Sequence, residues 1–271
     1  MNSELLIQPE ELFHILSLPG LIVLDARSRE EYEQDHVVDA VSLPPEELEE
    51  SVTLSNGEKL KHQVCSAQQA TEVLRAAGVR DDSRIVVYDA GGSYRAARLF
   101  WMLDYFNHGH VQILDGGLDG WREDIGIMSQ KERTLSGGNF PPHPQEDRRA
   151  DFFTVITAIG RASKKLCNSL NEDEFANGAI PGSVNLPYHY TFKQGKYPSL
   201  RNARELTFLF RKIGNTVEKE LICYCGTGYS ACQLYFAAKV AGFHRVSVYD
   251  GSTAEWTARG GELLPYGGVK K

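Results

Sequence analysis

The 271-residue sequence contains no apolar run near the ~20 residues that a membrane-spanning helix needs, so no membrane partner is expected. It also lacks any basic run long enough to track phosphates. With a formal charge of −7, nucleic acid is excluded as a partner. Met1-Asn2-Ser3-Glu4 has neither the basic start nor the apolar core of a secretory leader, and the expected location is cytoplasmic. Cysteine is sparse and odd in number: Cys65, Cys167, Cys223, Cys225 and Cys232 have no framework spacing, which fits reduced thiols. A structural zinc site typically includes a Cys-x₂₋₄-Cys pair. Cys223 and Cys225 are separated by one residue and no second close pair completes a set, so neither metal nor cofactor is expected.

What is present is an ordinary apolar and charged content, 42% and 24%, in a chain long enough for two cores. The most informative stretch runs from Leu221 to Cys232. It reads as a short strand ending at Cys225, a Gly226-Thr227-Gly228 loop, and a helix from Ala231 to Ala241. A thiol there meets converging backbone N–H groups and the positive end of a helix, an environment that favours the nucleophilic thiolate. Cys223 lies earlier on the same strand and reads as core. Cys232, early in the helix, is either core or a resolving thiol.

The chain is written twice. Arg84-Ile-Val-Val-Tyr-Asp-Ala-Gly-Gly-Ser-Tyr-Arg, followed by Ile113-Leu-Asp-Gly-Gly, has a counterpart in Glu220-Leu-Ile-Cys-Tyr-Cys-Gly-Thr-Gly-Tyr-Ser, followed by Val248-Tyr-Asp-Gly-Ser. Upstream, Leu24-Asp-Ala-Arg through Leu43-Pro44 matches Cys167-Asn-Ser-Leu through Leu186-Pro187. Short continuous apolar runs (Leu21–Leu24, Ile85–Tyr88, Val111–Leu114) alternate with amphipathic stretches such as Ala67–Ala77 and Ala96–Phe106. That pattern predicts α/β domains, each a small parallel sheet covered by helices on both faces. The expected division is 1–130, a turn-rich linker over 131–150 that includes Ser136-Gly-Gly-Asn-Phe-Pro-Pro-His-Pro, and 151–271.

These residues resemble the tandem-domain rhodanese sulfurtransferases, the thiosulfate and 3-mercaptopyruvate sulfurtransferases, over nearly the whole chain. The carriers are Asp25-x-Arg27 with His36, Ile180-Pro181-Gly182 with Val184-Asn185, Tyr249-Asp250-Gly251-Ser252 and the Cys225 loop. The resemblance implies two tandem rhodanese-like domains, the first catalytically silent because Asp89 stands where Cys225 stands in the second. It implies that a sulfane sulfur passes through a Cys225 persulfide to cyanide or a thiol acceptor, a reduced thioredoxin-like protein among them. Cys225-Gly226-Thr227-Gly228-Tyr229-Ser230 looks like the loop of mercaptopyruvate-type members, whereas thiosulfate-type members carry basic residues after the cysteine. By the same resemblance Thr227 works with His62 and a carboxylate, Glu46 or Glu47. One departure stands out. The span 171–179 holds three acids and none of the arginines with which the family anchors its donor, leaving Lys196, Arg201 and Arg95 as candidate cations. Leu170 and Ala179 likewise replace the arginine and histidine kept in the first copy as Arg27 and His36.

From the residues themselves, the N–H groups of Gly226 to Ser230 would cradle an anionic outer sulfur, with Gly226 and Gly228 supplying conformational freedom and Thr227 and Ser230 hydroxyls. A cysteine-dependent phosphatase would need an arginine six residues after Cys225, where Ala231 stands. The other alternative is a rhodanese-like module that binds or senses sulfide with weak turnover. Tyr229 either lines the donor pocket or packs on the domain interface. Asp25, Arg27 and His36 read as a structural polar cluster. Trp101, Trp121 and Trp256 read as packing, and the acidic run from Glu46 to Glu50 as a solvated helix face.

Overall fold

The computed structural model describes residues 5–135 and 137–266; Met1–Glu4 and the linker's Ser136 lie outside them. Two five-stranded parallel sheets repeat one strand order. The first runs in space Leu6–Ile7, Val111–Leu114, Arg84–Tyr88, Leu21–Asp25, Ala40–Ser42. The second runs Arg149–Ala150, Val246–Tyr249, Glu220–Tyr224, Lys164–Asn168, Val184–Asn185. The last two linker residues of the sequence-based division thus form the edge strand of the second sheet. The central strands are continuous apolar runs because helices bury both of their faces. No helix among the described residues is long and apolar enough to cross a membrane.

The helices Arg95–Tyr105 and Tyr229–Val240 correct the amphipathic expectation for Ala96–Phe106. Both are buried nearly all round, as helices are when each side meets protein. They pack on each other across the domain boundary, with Phe100 against Phe236 at 4.9 Å between ring centroids. One apolar cluster therefore runs through both domains.

Each domain also extends a hairpin over the other. Glu49–Thr53 pairs with Lys59–Val64, and Phe192–Lys193 with Ser199–Leu200. The Val64 N–H donates to Asp250 at 2.8 Å, and the Leu200 N–H to Asp115 at 2.8 Å, the same contact made in both directions across a pseudo-twofold axis. Asp115 and Asp250 end the two sheets just beyond their strands, so these bonds fix both loop clusters at the domain boundary. Trp101, Trp121 and Trp256 are all buried packing residues.

Candidate active site

Cys225 follows directly on the strand Glu220–Tyr224, at the carboxyl end of the sheet, where open α/β sheets bind ligands. Its Sγ accepts the Gly228 N–H at 3.1 Å, and its own N–H donates to Ser252 Oγ at 3.0 Å. Ser252 Oγ donates in turn to the Tyr249 carbonyl at 2.8 Å and lies 3.9 Å from the sulfur. Ser252 holds φ +49, a left-handed conformation that a residue with a Cβ adopts at a cost of about 1–3 kcal/mol and that clusters at functional sites. Sequence reasoning quoted Ser252 only as part of a motif; its repeat counterpart, Gly117, was the signal that this position is conformationally special.

The loop needs one of its two glycines. Gly228 has φ +91, and a Cβ there would come within 2.7 Å of the Asp250 carbonyl. At Gly226 a Cβ would meet nothing within 4 Å, so its expected conformational role is not required. Gly228 precedes a 12-residue helix whose first N–H groups have no intrahelical acceptor. The Gly228 N–H at that helix start is the one that meets the sulfur, so the sulfur lies at the positive end of the helix dipole. Ser230 Oγ is held by Ser169 Oγ at 2.8 Å, while the exposed Thr227 hydroxyl is uncommitted among the described residues.

A cavity of about 470 Å³ opens over Cys225, walled by Tyr94, Tyr188 and Tyr229, with Leu170, Asn171, Glu174, His189 and Thr227 completing it. Neither lysine nor arginine lines it. The corresponding place in the first copy is closed instead. Asp89 accepts the Gly91 and Ala96 N–H groups, both at 2.9 Å, and the adjoining void measures about 30 Å³. Tyr197 and Pro198, from the other domain, sit against Gly116 and Gly92 there.

The candidate cations are committed elsewhere. Lys196 pairs with Glu123 at 2.7 Å and Asp124 at 3.5 Å beside the first copy. Arg201 donates to the Tyr190 carbonyl and reaches Glu205. Arg95 grips Glu46 through two bonds, of 2.8 and 2.6 Å.

The triad suggested by resemblance is not assembled. Glu46 serves Arg95 and Glu47 serves Arg29. The carboxylate on His62 is Glu49, whose Oε2 lies 2.8 Å from Nδ1. His62 stands behind the cleft, edge-on to Tyr229 at 5.6 Å, with no hydrogen bond to Thr227 among the described residues. The acidic run is not a solvated helix face either: the chain turns from a short 3₁₀ segment, Pro45–Leu48, into strand at Glu49, which buries that carboxylate.

Beneath the loop lies a network that sequence reasoning missed. Arg98 is fully buried. It bonds Asp250 Oδ1 at 2.7 Å, Glu49 Oε1 at 3.2 Å and the His62 carbonyl at 2.6 Å, and its guanidinium lies 5.1 Å from the Tyr229 ring centroid. Burial and then the charges of Glu49 and Glu46 push the Tyr229 phenol far above its ordinary value, so it stays neutral. Tyr229 is therefore both a cleft wall and an interface residue. Cys232 donates to the Gly228 carbonyl at 3.2 Å, which supports the loop, and burial pushes its thiol up to about 12. Burial also pushes Cys65 and Cys167 up to about 12 and Cys223 well above the ordinary range. Arg27 binds Asp25 and the Asp35 carbonyl, and His36 stacks on Tyr32, which is structural work in the first domain.

A family model described as rhodanese-like domain matches residues 8–124 and 161–259. A thiosulfate sulfurtransferase of Pseudomonas aeruginosa is 28% identical over 261 residues, covering 93% of either chain. A 3-mercaptopyruvate sulfurtransferase of Escherichia coli is 27% identical, over 89% of this chain and 90% of that one. Among solved structures, SseA from Escherichia coli, a 3-mercaptopyruvate sulfotransferase, superposes with a TM-score of 0.83 at 25% identity. The match covers 92% of this chain and 99% of that one. A complex of EanB with ergothioneine shares the fold, with a TM-score of 0.87 at 20% identity over 99% of this chain and 71% of that one.

Proposed function

This chain belongs to the rhodanese-like domain family, and from that premise we propose that it is a sulfurtransferase whose Cys225 carries the transferred sulfur as a persulfide. The observation that carries the reading is the Cys225 loop itself: a thiol at a cleft floor, with the Gly228 N–H on its sulfur and an unpaired helix start beside it. In the first half-reaction the Cys225 thiolate attacks the outer sulfur of a small donor. With 3-mercaptopyruvate the carbon–sulfur bond breaks, pyruvate leaves with the thiol proton on carbon, and Cys225–S–S⁻ remains. With thiosulfate, sulfite leaves. In the second, cyanide or a thiolate attacks the outer sulfur and restores the Cys225 thiolate, so each step is a nucleophilic displacement at sulfur.

The Gly228 N–H on the Cys225 sulfur supports this chemistry, because a backbone donor at that point would hold the outer sulfur's charge during transfer. Neutral Gly226 and Thr227, and a cleft without lysine or arginine, favour 3-mercaptopyruvate over the thiosulfate dianion. His62 acts here through Glu49 and Tyr229, as a positioning residue. The same lack of cations supports a second reading, a rhodanese-like module that binds or senses sulfide with little turnover.

Thiocyanate formation from cyanide separates the two. The sulfurtransferase reading expects turnover that Cys225→Ser abolishes and a larger kcat/KM for 3-mercaptopyruvate than for thiosulfate. No thiocyanate from either donor would leave only the module.

A further inference from the structure

The cleft over Cys225 is polarised along its depth. Its floor presents donors: the Gly228 N–H on the sulfur and the first turn of a 12-residue helix. Its outer wall presents acceptors. Glu174 holds the Asn171 N–H with Oε2 at 3.3 Å, and Oε1 has no protein partner among the described residues. Tyr94 and Tyr188 stand perpendicular, 5.2 Å apart, and Tyr229 meets Tyr94 at 77° and 6.1 Å, so three rings form two adjoining corners. Arg98 already occupies one side of Tyr229, while Tyr94 and Tyr188 are half-buried and line the cleft. Arg95, the arginine next to Tyr94, is neutralised by Glu46, and Glu172 nearby is bonded by the Tyr190 hydroxyl. His189 is the one histidine on the cleft wall. A carboxylate with aromatic faces beside it, and no fixed cation, is the chemistry that holds an ammonium group.

We propose that this outer wall selects an ammonium-bearing small thiol, an aminothiol, as the acceptor of the Cys225 sulfur. The aminothiolate lies along the cleft with its sulfur toward the N–H groups and its ammonium between Glu174, Tyr94 and Tyr188. Its thiol proton passes to the outer sulfur of Cys225–S–S⁻, its thiolate attacks that sulfur, the bond to Cys225 breaks with the Cys225 sulfur leaving as thiolate, and the acceptor departs as a hydropersulfide carrying the proton, with no further oxidant or reductant. The acceptor step rests on the sulfurtransferase reading; the charge preference of the cleft does not.

Methanethiosulfonate reagents test the preference on the whole chain. Cys225 would be labelled with aminoethyl (cationic), methyl (neutral) and sulfonatoethyl (anionic) reagents, with rates normalised to free mercaptoethanol and the site verified by mass and by Cys225→Ser. The cationic reagent should exceed the anionic by about tenfold beyond the solution ratio. Glu174→Gln, which keeps the capping box with Asn171, should cut that excess to about threefold or less, and Tyr188→Leu should lower it as well. An anionic reagent that reacts as fast as the cationic one, or an excess untouched by both substitutions, overturns the proposal. In a second arm, persulfide-loaded enzyme is discharged by cysteamine or by mercaptopropionate, and cysteamine should be faster by a margin that Glu174→Gln removes. Failure to load would count against the sulfurtransferase reading alone, because the labelling arm still judges the cleft.

Discussion

Replacing Arg98 by Met removes a buried side chain that ties the first domain to the base of the Cys225 loop. The guanidinium is fully buried; burial works against its charge, but the charges around it, Asp250 foremost, more than offset that and push its pKa further up. Breaking a buried pair by deleting one partner costs about 3–5 kcal/mol, because the remaining charge is left without compensation. Asp250 would keep the Val64 N–H at 2.8 Å and Arg149 at 3.8 Å, and Glu49 would keep His62, so the lower end applies. Methionine fills most of the arginine stem, which limits any cavity term. The expected loss is about 3 kcal/mol, a fall in Tm of roughly 6–12 °C for a chain of this size. Urea unfolding followed by tryptophan fluorescence measures it, and adding Asp250→Asn to Arg98→Met should recover part of the loss by removing the stranded charge. A loss below about 1 kcal/mol would refute the reasoning, since an exposed pair contributes that much.

The two loop glycines should behave oppositely. Gly228→Ala forces a Cβ to within 2.7 Å of the Asp250 carbonyl at φ +91 and should destabilise by about 2 kcal/mol or more while lowering transfer, whereas Gly226→Ala should change stability by less than about 0.5 kcal/mol in thermal unfolding. Native protein titrated with iodoacetamide at pH 8 should label one thiol per chain, Cys225, because burial pushes Cys65, Cys167 and Cys232 up to about 12 and Cys223 well above its ordinary value; labelling of a second cysteine at a similar rate would contradict this. His108 is buried, and burial lowers its pKa below the ordinary value of 6.5 although its Nε2 reaches the Arg80 carbonyl. The folded state therefore binds this proton less well than the unfolded chain, so the contribution present above about pH 6.5 falls away as acid protonates the ring. Stability should drop as the pH falls below about 6.5, and His108→Gln should flatten that slope in a pH series of urea midpoints.

The sequence carries the parts of this molecule that are local. The strand, glycine loop and helix around Cys225 are set by neighbouring residues, and the duplicated pattern made two parallel sheets legible, along with the Asp89 substitution in the first copy. What stayed hidden depends on contacts between distant segments. Glu49 read as one more acid in a solvated run, but the chain enters a strand at that residue and buries it against Arg98 and His62. Arg98 lay unremarked within the amphipathic stretch Ala96–Phe106, and its partner Asp250 lies 152 residues away in the other domain. Lys196 and Arg201 looked free because Glu123, Asp124 and the Tyr190 carbonyl are brought to them only by folding. The missing cations of the span 171–179 were legible, and so was Tyr229 as a candidate for the donor pocket; Tyr94 and Tyr188 were not, because they reach the cleft from different domains.

The central claim is that Cys225 carries the sulfur. Intact-mass analysis of protein incubated with 3-mercaptopyruvate and then freed of donor measures it directly. The claim predicts a gain of one sulfur atom per chain, mapped to Cys225, absent from Cys225→Ser and reversed by cyanide with stoichiometric thiocyanate. An unchanged mass with both 3-mercaptopyruvate and thiosulfate, or an adduct that persists in Cys225→Ser, would contradict it.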